Sequence, residues 1–268
     1  MPKINDLDLK DWKNYQDIKT DSLWLIGERD KTGGHNGKYH GNFVPQIPNQ
    51  LMRRFTKKGD VVLDTFLGSG TTLIECKRLG RNGIGVELLP EVAKEAEQNI
   101  SQASLLDKNV STNVIIGDST KQDTRKKVIE ILRERNREKI QLIIMHPPYH
   151  DIIKFSDKAG DLSNTESVEK FLELFGNVVR NFVDLLESKH HLAIVIGDKY
   201  TNSEWVPLSF YVMQEVMRQK DLKLKSILIK NIVNNRAKIN QEHLWRYRAL
   251  VGGFYIFKHE YILLFKKS

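Results

Sequence analysis

The stretch "VVLDTFLGSGTTLIECKRLGRNGIGVELLPE", Val61 to Glu91, decides the fold of this chain. Residues 61–66 are a short apolar run of the kind that forms a buried strand. A glycine-bearing turn follows, then apolar side chains at helical spacing over "SGTTLIECKRLG", closed by Gly80, a residue suited to a left-handed helix end. "NGIGVELL" then returns to a strand pattern. The unit is strand, turn, helix, strand.

The same alternation continues to the end of the chain. "PEVAKEAEQNISQA" is a helix begun by proline, "TNVIIGD" a third strand, "TRKKVIEILRERNREK" a helix and "IQLIIMH" a fourth strand. "TESVEKFLELFGNVVRNFVDLLES" has helical spacing and "HLAIVIGDKY" follows as a fifth strand. The helix "PLSFYVMQEVMRQ" and the strands "LKSILIKNI" and "HEYILLFKK" complete the pattern. Seven strands alternating with helices predict an α/β fold, an open and mostly parallel sheet with helices on both faces.

Composition agrees with one catalytic-sized domain. The chain has 268 residues, 40% hydrophobic, with no internal repeat or low-complexity linker. "MPKINDLDLKDWKNYQD" lacks an apolar signal core and the longest apolar runs are strand-length, so a soluble, cytoplasmic protein without a membrane segment is expected. The lone cysteine, Cys76, lies in an apolar helical pattern and reads as core. Net charge is +8, and basic residues gather between Arg218 and Arg248 with Trp245 and Tyr247 among them. Cations that reach phosphates beside rings that stack on bases point to nucleic acid.

In a doubly wound sheet the ligand site lies outside the carboxyl ends of the strands. Asp64 and Phe66 end the first strand, and Gly68, Ser69 and Gly70 form the turn before the helix that starts near Thr71. Glycines there let backbone approach a ligand, and a helix start offers N–H groups to a carboxylate. The turn is neither a dinucleotide fingerprint nor a phosphate loop with its lysine. Glu87 ends the second strand, where it can accept from ribose hydroxyls, and Asp118 ends the third, where it can face an adenine amino group. Together they describe a site for a nucleoside with an amino-acid tail.

The Phe-x-Gly-x-Gly turn and the later "HPPY", His146 to Tyr149, together resemble the S-adenosylmethionine-dependent DNA amino-methyltransferases. The resemblance runs from about Asn42 to the C-terminus. It implies a class I methyltransferase (Rossmann-like) fold, S-adenosylmethionine as cofactor, DNA as partner, and methylation of adenine or cytosine of the restriction-modification kind. It assigns Phe66, Gly68, Gly70 and Thr71 to the methionine end, Glu87 to the ribose and Asp118 to the adenine. "GNFVPQIP" (41–48), with Phe43, and the helix "NQLMRRFT" would close over the cofactor. Asp64 and Ser69 complete the expected cofactor set.

An aromatic exocyclic amine is a weak nucleophile because its lone pair is delocalised into the ring. A side-chain acceptor at His146 and the carbonyl of Pro147, held rigid by Pro148, can take its two hydrogens, while Tyr149 offers a ring for stacking on the base. A target inside a duplex has to be flipped out to reach such a cleft. Family members carry Asp, Asn or Ser where this chain has His146. A neutral imidazole still accepts one hydrogen bond, so amine chemistry is retained, but the choice between adenine and cytosine is not legible. No metal is expected, because the histidines and the single cysteine make no ligand pattern.

Lys154 and Phe155, in the polar loop 150–164, are expected to meet the extruded base, and Arg236, Lys238, Trp245, Arg246, Tyr247 and Arg248, in segment 234–258, to contact nucleic acid. Residues 1–41 read as a mobile N-terminal arm beside a catalytic domain of residues 42–268. Neither target segment has the size of a recognition domain, which leaves a short recognition sequence or a second copy, a homodimer, to complete the site. Two alternatives stand beside the DNA enzyme: an RNA amino-methyltransferase, and a nucleic-acid-binding protein that has lost catalysis.

Overall fold

A computed structural model describes residues 3–35, 39, 41–103, 110–232 and 242–268. The N-terminal half contains β1 (Leu23–Trp24), α1 (Gln46–Phe55), β2 (Val61–Asp64), α2 (Thr71–Leu79), β3 (Asn82–Glu87), α3 (Pro90–Gln102), β4 (Thr112–Ile116) and α4 (Gln122–Glu134). Then come β5 (Ile140–Met145), α5 (Val168–Phe182), β6 (Leu186–Ile196), β7 (Lys199–Thr201), β8 (Glu204–Val206), α6 (Leu208–Met217), β9 (Leu222–Asn231), α7 (Glu242–Gly252) and β10 (His259–Lys267).

The main sheet has the order β1-β9-β10-β6-β5-β2-β3-β4. Among its described strands only β10 runs antiparallel to its neighbours, β6 and β9. Strand order reverses between β2 and β5, which pair in parallel with Leu63 opposite Ile143. That reversal creates the crevice in which doubly wound folds hold ligands.

Strand alternation covers both faces. Val61 and Leu63 of β2 and Ile143 and Met145 of β5 join the core beneath α4, α5 and α6, with Phe171, Phe175 and Phe182 wholly buried there. Their neighbours Val62, Leu142 and Ile144 face the opposite way, onto Ile47 and Leu51 of α1 and onto Cys76. A side-chain period of two requires this two-sided burial of continuous apolar runs.

Three expectations are corrected. Among the described residues the sheet has eight strands, not seven, because Leu23 and Trp24 pair in parallel with Ile229 and Lys230 of β9. Nor is the stretch around β1 a detached arm: Trp24 is 1% exposed in the core, and Ile26 exchanges hydrogen bonds with the Asn231 side chain at 2.7 and 3.0 Å. A two-residue edge strand is too short to show period two in sequence. β6 also begins earlier than expected, at Leu186, which pairs with Ile140 before the register shifts.

Candidate active site

The loop after β2 is built around a buried carboxyl. Asp64 accepts the backbone N–H of Phe66 at 2.9 Å on one oxygen and the hydroxyl of Thr72 at 2.5 Å on the other. Complete burial pushes its pKa up to about 6, against the pull of those two donors. Gly70, with φ at 95°, starts α2, and a Cβ there would stand 3.1 Å from Ile100 and 3.3 Å from the Ala96 carbonyl of α3. Phe66, Gly68 and Thr71 line a cleft of about 850 Å³ at the reversal point. Asp64, Ser69 and Gly70 are not among the lining residues; they belong to the same loop, directly behind those that are. Ser69 accepts from Asn42 at 2.5 Å.

Glu87 and Asp118 both line the cleft. Glu87 accepts the backbone N–H groups of Gly68 and Leu89, each at 2.9 Å, so it ties the β3 end to the β2 loop. Its burial raises the pKa to about 7, opposed by those same donors. Asp118 accepts from the Thr120 backbone and hydroxyl at 2.8 and 2.7 Å through one oxygen. Tyr39 and Phe155 stack at 6.0 Å and also line the cleft, so residues before α1 and after β5 meet across it.

At the end of β5, His146, Pro147, Pro148 and Tyr149 line the same cleft. The His146 Nε2 lies 3.2 Å from the Tyr149 hydroxyl, and that hydroxyl donates to Glu260 at 2.8 Å. Glu260 in turn takes a hydrogen bond from the Lys230 ammonium at 2.9 Å. Burial holds the imidazole down at about 4; Glu260 raises it and Lys230 lowers it, both more weakly. The Phe43 ring meets the imidazole edge-on at 4.9 Å. Sequence reasoning missed Glu260 and Lys230. β9 carries Lys223 and Lys225 as well as Lys230, and Glu260 follows His259 at the start of β10, so neither stood out in sequence; both are buried, at 7% exposure for Glu260 and 6% for Lys230.

The segment following Tyr149 is pinned from below. Lys199 donates at 2.8 Å to Nδ1 of buried His150, whose Nε2 faces the Thr165 carbonyl at 3.1 Å, and to Asp151 at 2.5 Å. Within this segment Phe155 lines the cleft, whereas Lys154 does not and pairs with Asp157. Trp245, Arg246, Tyr247 and Arg248 lie on α7, outside the cleft lining. Tyr247 is 65% exposed, and the Arg248 guanidinium sits 5.3 Å from the Trp245 ring. Arg236 and Lys238 lie outside the described residues. Among the described residues no group of three or more His, Cys, Asp or Glu could hold a metal, and no helix is long and apolar enough to cross a membrane.

A doubly wound sheet with one antiparallel strand beside β6 and a cleft fed by the ends of β2, β3, β4 and β5 defines a class I methyltransferase fold. A family model for N6 and N4 methyltransferases, described as DNA methylase, matches residues 3–98 and 140–268, and the chain belongs to that family. Type II methyltransferase M.MjaII of Methanocaldococcus jannaschii is 25% identical over 79% of this chain and 34% of its own length. The tRNA (guanine(10)-N2)-dimethyltransferase of the same organism is 30% identical over 56% of this chain and 39% of its own. The chain spans about a third of the length of the curated relatives it matches. Precorrin 8W decarboxylase of Methanobacterium thermoautotrophicum shares the fold, with a TM-score of 0.50 at 15% identity over 90% of this chain and all of that one.

Proposed function

We propose that this chain transfers a methyl group from S-adenosylmethionine to the exocyclic amino group of adenine or cytosine in DNA. The observation that carries this reading is the meeting of the Phe66–Gly68 turn and His146–Tyr149 in one cleft at the strand reversal. The residues present fit the cofactor. Glu87 and Asp118 offer acceptors at successive strand ends, suited to ribose hydroxyls and an adenine amino group. Phe66, Gly68 and Thr71, at the start of α2, form the pocket for the methionine end. Phe43, from the segment before α1, covers it. When bound, the cofactor supplies an electrophilic methyl group on a sulfonium centre.

The chain's own residues do the rest. His146 and the Pro147 carbonyl accept the two amino hydrogens and draw the nitrogen toward tetrahedral geometry. Pro148 holds that carbonyl in place, and Tyr149 bears on the base. A cleft of this kind admits a single base, so duplex DNA enters with the target flipped out. Phe155 borders the pocket, while Lys154 and the basic face of α7 meet the strand around it. Soluble action in the cytoplasm, and a second copy of the chain completing the DNA contact, belong to the same reading.

The tRNA enzyme among the relatives favours a second reading, amine methylation on RNA. Incubation with methyl-labelled cofactor and separate DNA and RNA pools, followed by nucleoside analysis, decides between them. Label in N6-methyladenine or N4-methylcytosine from DNA is expected. Label confined to RNA selects the second reading. Cofactor binding without transfer to either polymer identifies a nucleic-acid-binding protein that has lost catalysis.

A further inference from the structure

The contacts behind His146 fix more than its position. Tyr149 has one hydroxyl proton, and the Glu260 carboxylate, which can only accept, lies 2.8 Å from it. Burial and the adjacent Glu260 carboxylate both keep that hydroxyl protonated, raising its pKa well above the usual tyrosine value. The Tyr149 oxygen is therefore left to receive. The 3.2 Å contact with His146 then runs from Nε2–H to the oxygen. A neutral imidazole carries one proton, so Nδ1 is the acceptor, and no hydrogen bond from any described residue reaches it. The Lys230 ammonium secures the far end at 2.9 Å, and sheet register sets Lys230 directly opposite Glu260 across β9 and β10.

Resting on the amine-methylation reading, we propose that Glu260 is a positioning residue: acting through Tyr149, it holds His146 in the Nε2–H tautomer and so presents Nδ1 as the acceptor for the substrate amine. The groups that bear on the imidazole are Tyr149, Glu260 and Lys230, with Phe43 the apolar neighbour. As the amine nitrogen bonds to the methyl carbon of the sulfonium donor, the carbon–sulfur electron pair returns to sulfur. The nitrogen then sheds one proton, which Nδ1 takes. An alkylated arylammonium is a stronger acid than an imidazolium, so even a weakly basic histidine receives it. The imidazolium formed lies one hydroxyl away from a carboxylate.

Glu260→Gln tests the direction of this chain of hydrogen bonds. The Lys230 ammonium, a pure donor, keeps the amide oxygen on its own side, which turns the amide N–H toward Tyr149. The tyrosine then donates to His146 Nε2, and the imidazole proton moves to Nδ1. Nitrogen-15 NMR of histidine-labelled full-length protein without cofactor, assigned with His146→Asn, reads the tautomer directly.

The wild type should show Nε2–H and Glu260→Gln should show Nδ1–H. Methyl transfer should fall about a hundredfold in Glu260→Gln, the scale of a lost acid–base group. The same change made in His146→Asn, which has no tautomer to invert, should cost little. An Nδ1–H wild type, an unmoved tautomer in Glu260→Gln, or equal losses in both backgrounds would overturn the proposal. The wild-type tautomer, once assigned, is read without Glu260→Gln having to fold and without any nucleic acid being methylated. Absence of transfer to any polymer thus defeats the functional reading alone, while the spectra still decide the tautomer.

Discussion

Gly160 faces Asp118 so closely that a Cβ built on it would stand 2.1 Å from the Asp118 carboxylate. The segment after the Pro-Pro-Tyr turn therefore closes directly onto the end of β4, with Lys158 reinforcing it by donating to the Leu88 carbonyl at 3.1 Å. Gly160→Ala should push the two apart and move Asp118 from the place where it would meet the cofactor's adenine. Cofactor affinity should fall about tenfold, or about 1.4 kcal/mol, with little change in melting temperature. Calorimetric titration checks it, and wild-type affinity would show that Asp118 takes no part in binding.

Two glycines of one turn should behave differently. Gly70→Ala places a Cβ between Ile100 and the Ala96 carbonyl in a left-handed conformation, and should cost about 1–3 kcal/mol of stability. Affinity of the folded fraction should change little, because Gly70 does not line the cleft. Gly68→Ala brings its Cβ to 3.1 Å from the cleft-lining Tyr39 ring, and should weaken cofactor binding as well. Thermal melts paired with titrations separate the two. A binding defect in Gly70→Ala that exceeds its stability loss would return that residue to the ligand surface.

The Asp64 carboxyl gives a pH-dependent prediction. Burial raises its pKa from an ordinary 3.8 to about 6. The folded state therefore holds the proton more tightly than the unfolded chain. The stability this contributes is complete below the unfolded value and disappears as pH rises through about 6. Asp64→Asn keeps an acceptor for the Phe66 N–H and carries no charge. Its stability relative to wild type should climb between those two pH values, by about 3 kcal/mol in all. Denaturant melts across this range measure the slope. A flat difference would mean that Asp64 titrates normally.

Contact with nucleic acid should be electrostatic at α7. Replacing Arg246 and Arg248 with alanine should lower the slope of log affinity against log salt by about 0.9 per phosphate lost, without changing cofactor affinity. An unchanged slope would make the exposed face of α7 a solvated surface.

Much of this protein was determined locally. β2, α2, β3, α4, β5 and α5 lie close to where apolar periodicity sets them, because each must bury its own stripe against a common sheet. The Phe66–Gly70 turn and His146–Tyr149 were legible for a related reason: their spacing follows strand ends, and in an alternating α/β chain strand ends share one edge. Phe155 was singled out too, but its place in the cleft comes from stacking on Tyr39, a partner distant in sequence.

Only the tertiary structure decided which residues stand behind the site. Gly70 looked like a ligand-facing glycine until α3 was packed against it. Lys230 counted only among the basic residues between Arg218 and Arg248, and Glu260 as one more residue of a strand, until β9 and β10 paired them beneath Tyr149. β1 escaped notice because two residues carry no periodicity, and its pairing with β9 is a contact between distant parts of the chain. Hydrophobic pattern is a property of neighbours in sequence, whereas a hydrogen bond from Tyr149 to Glu260 spans 111 positions. Such a contact exists only once the sheet has brought its two ends together.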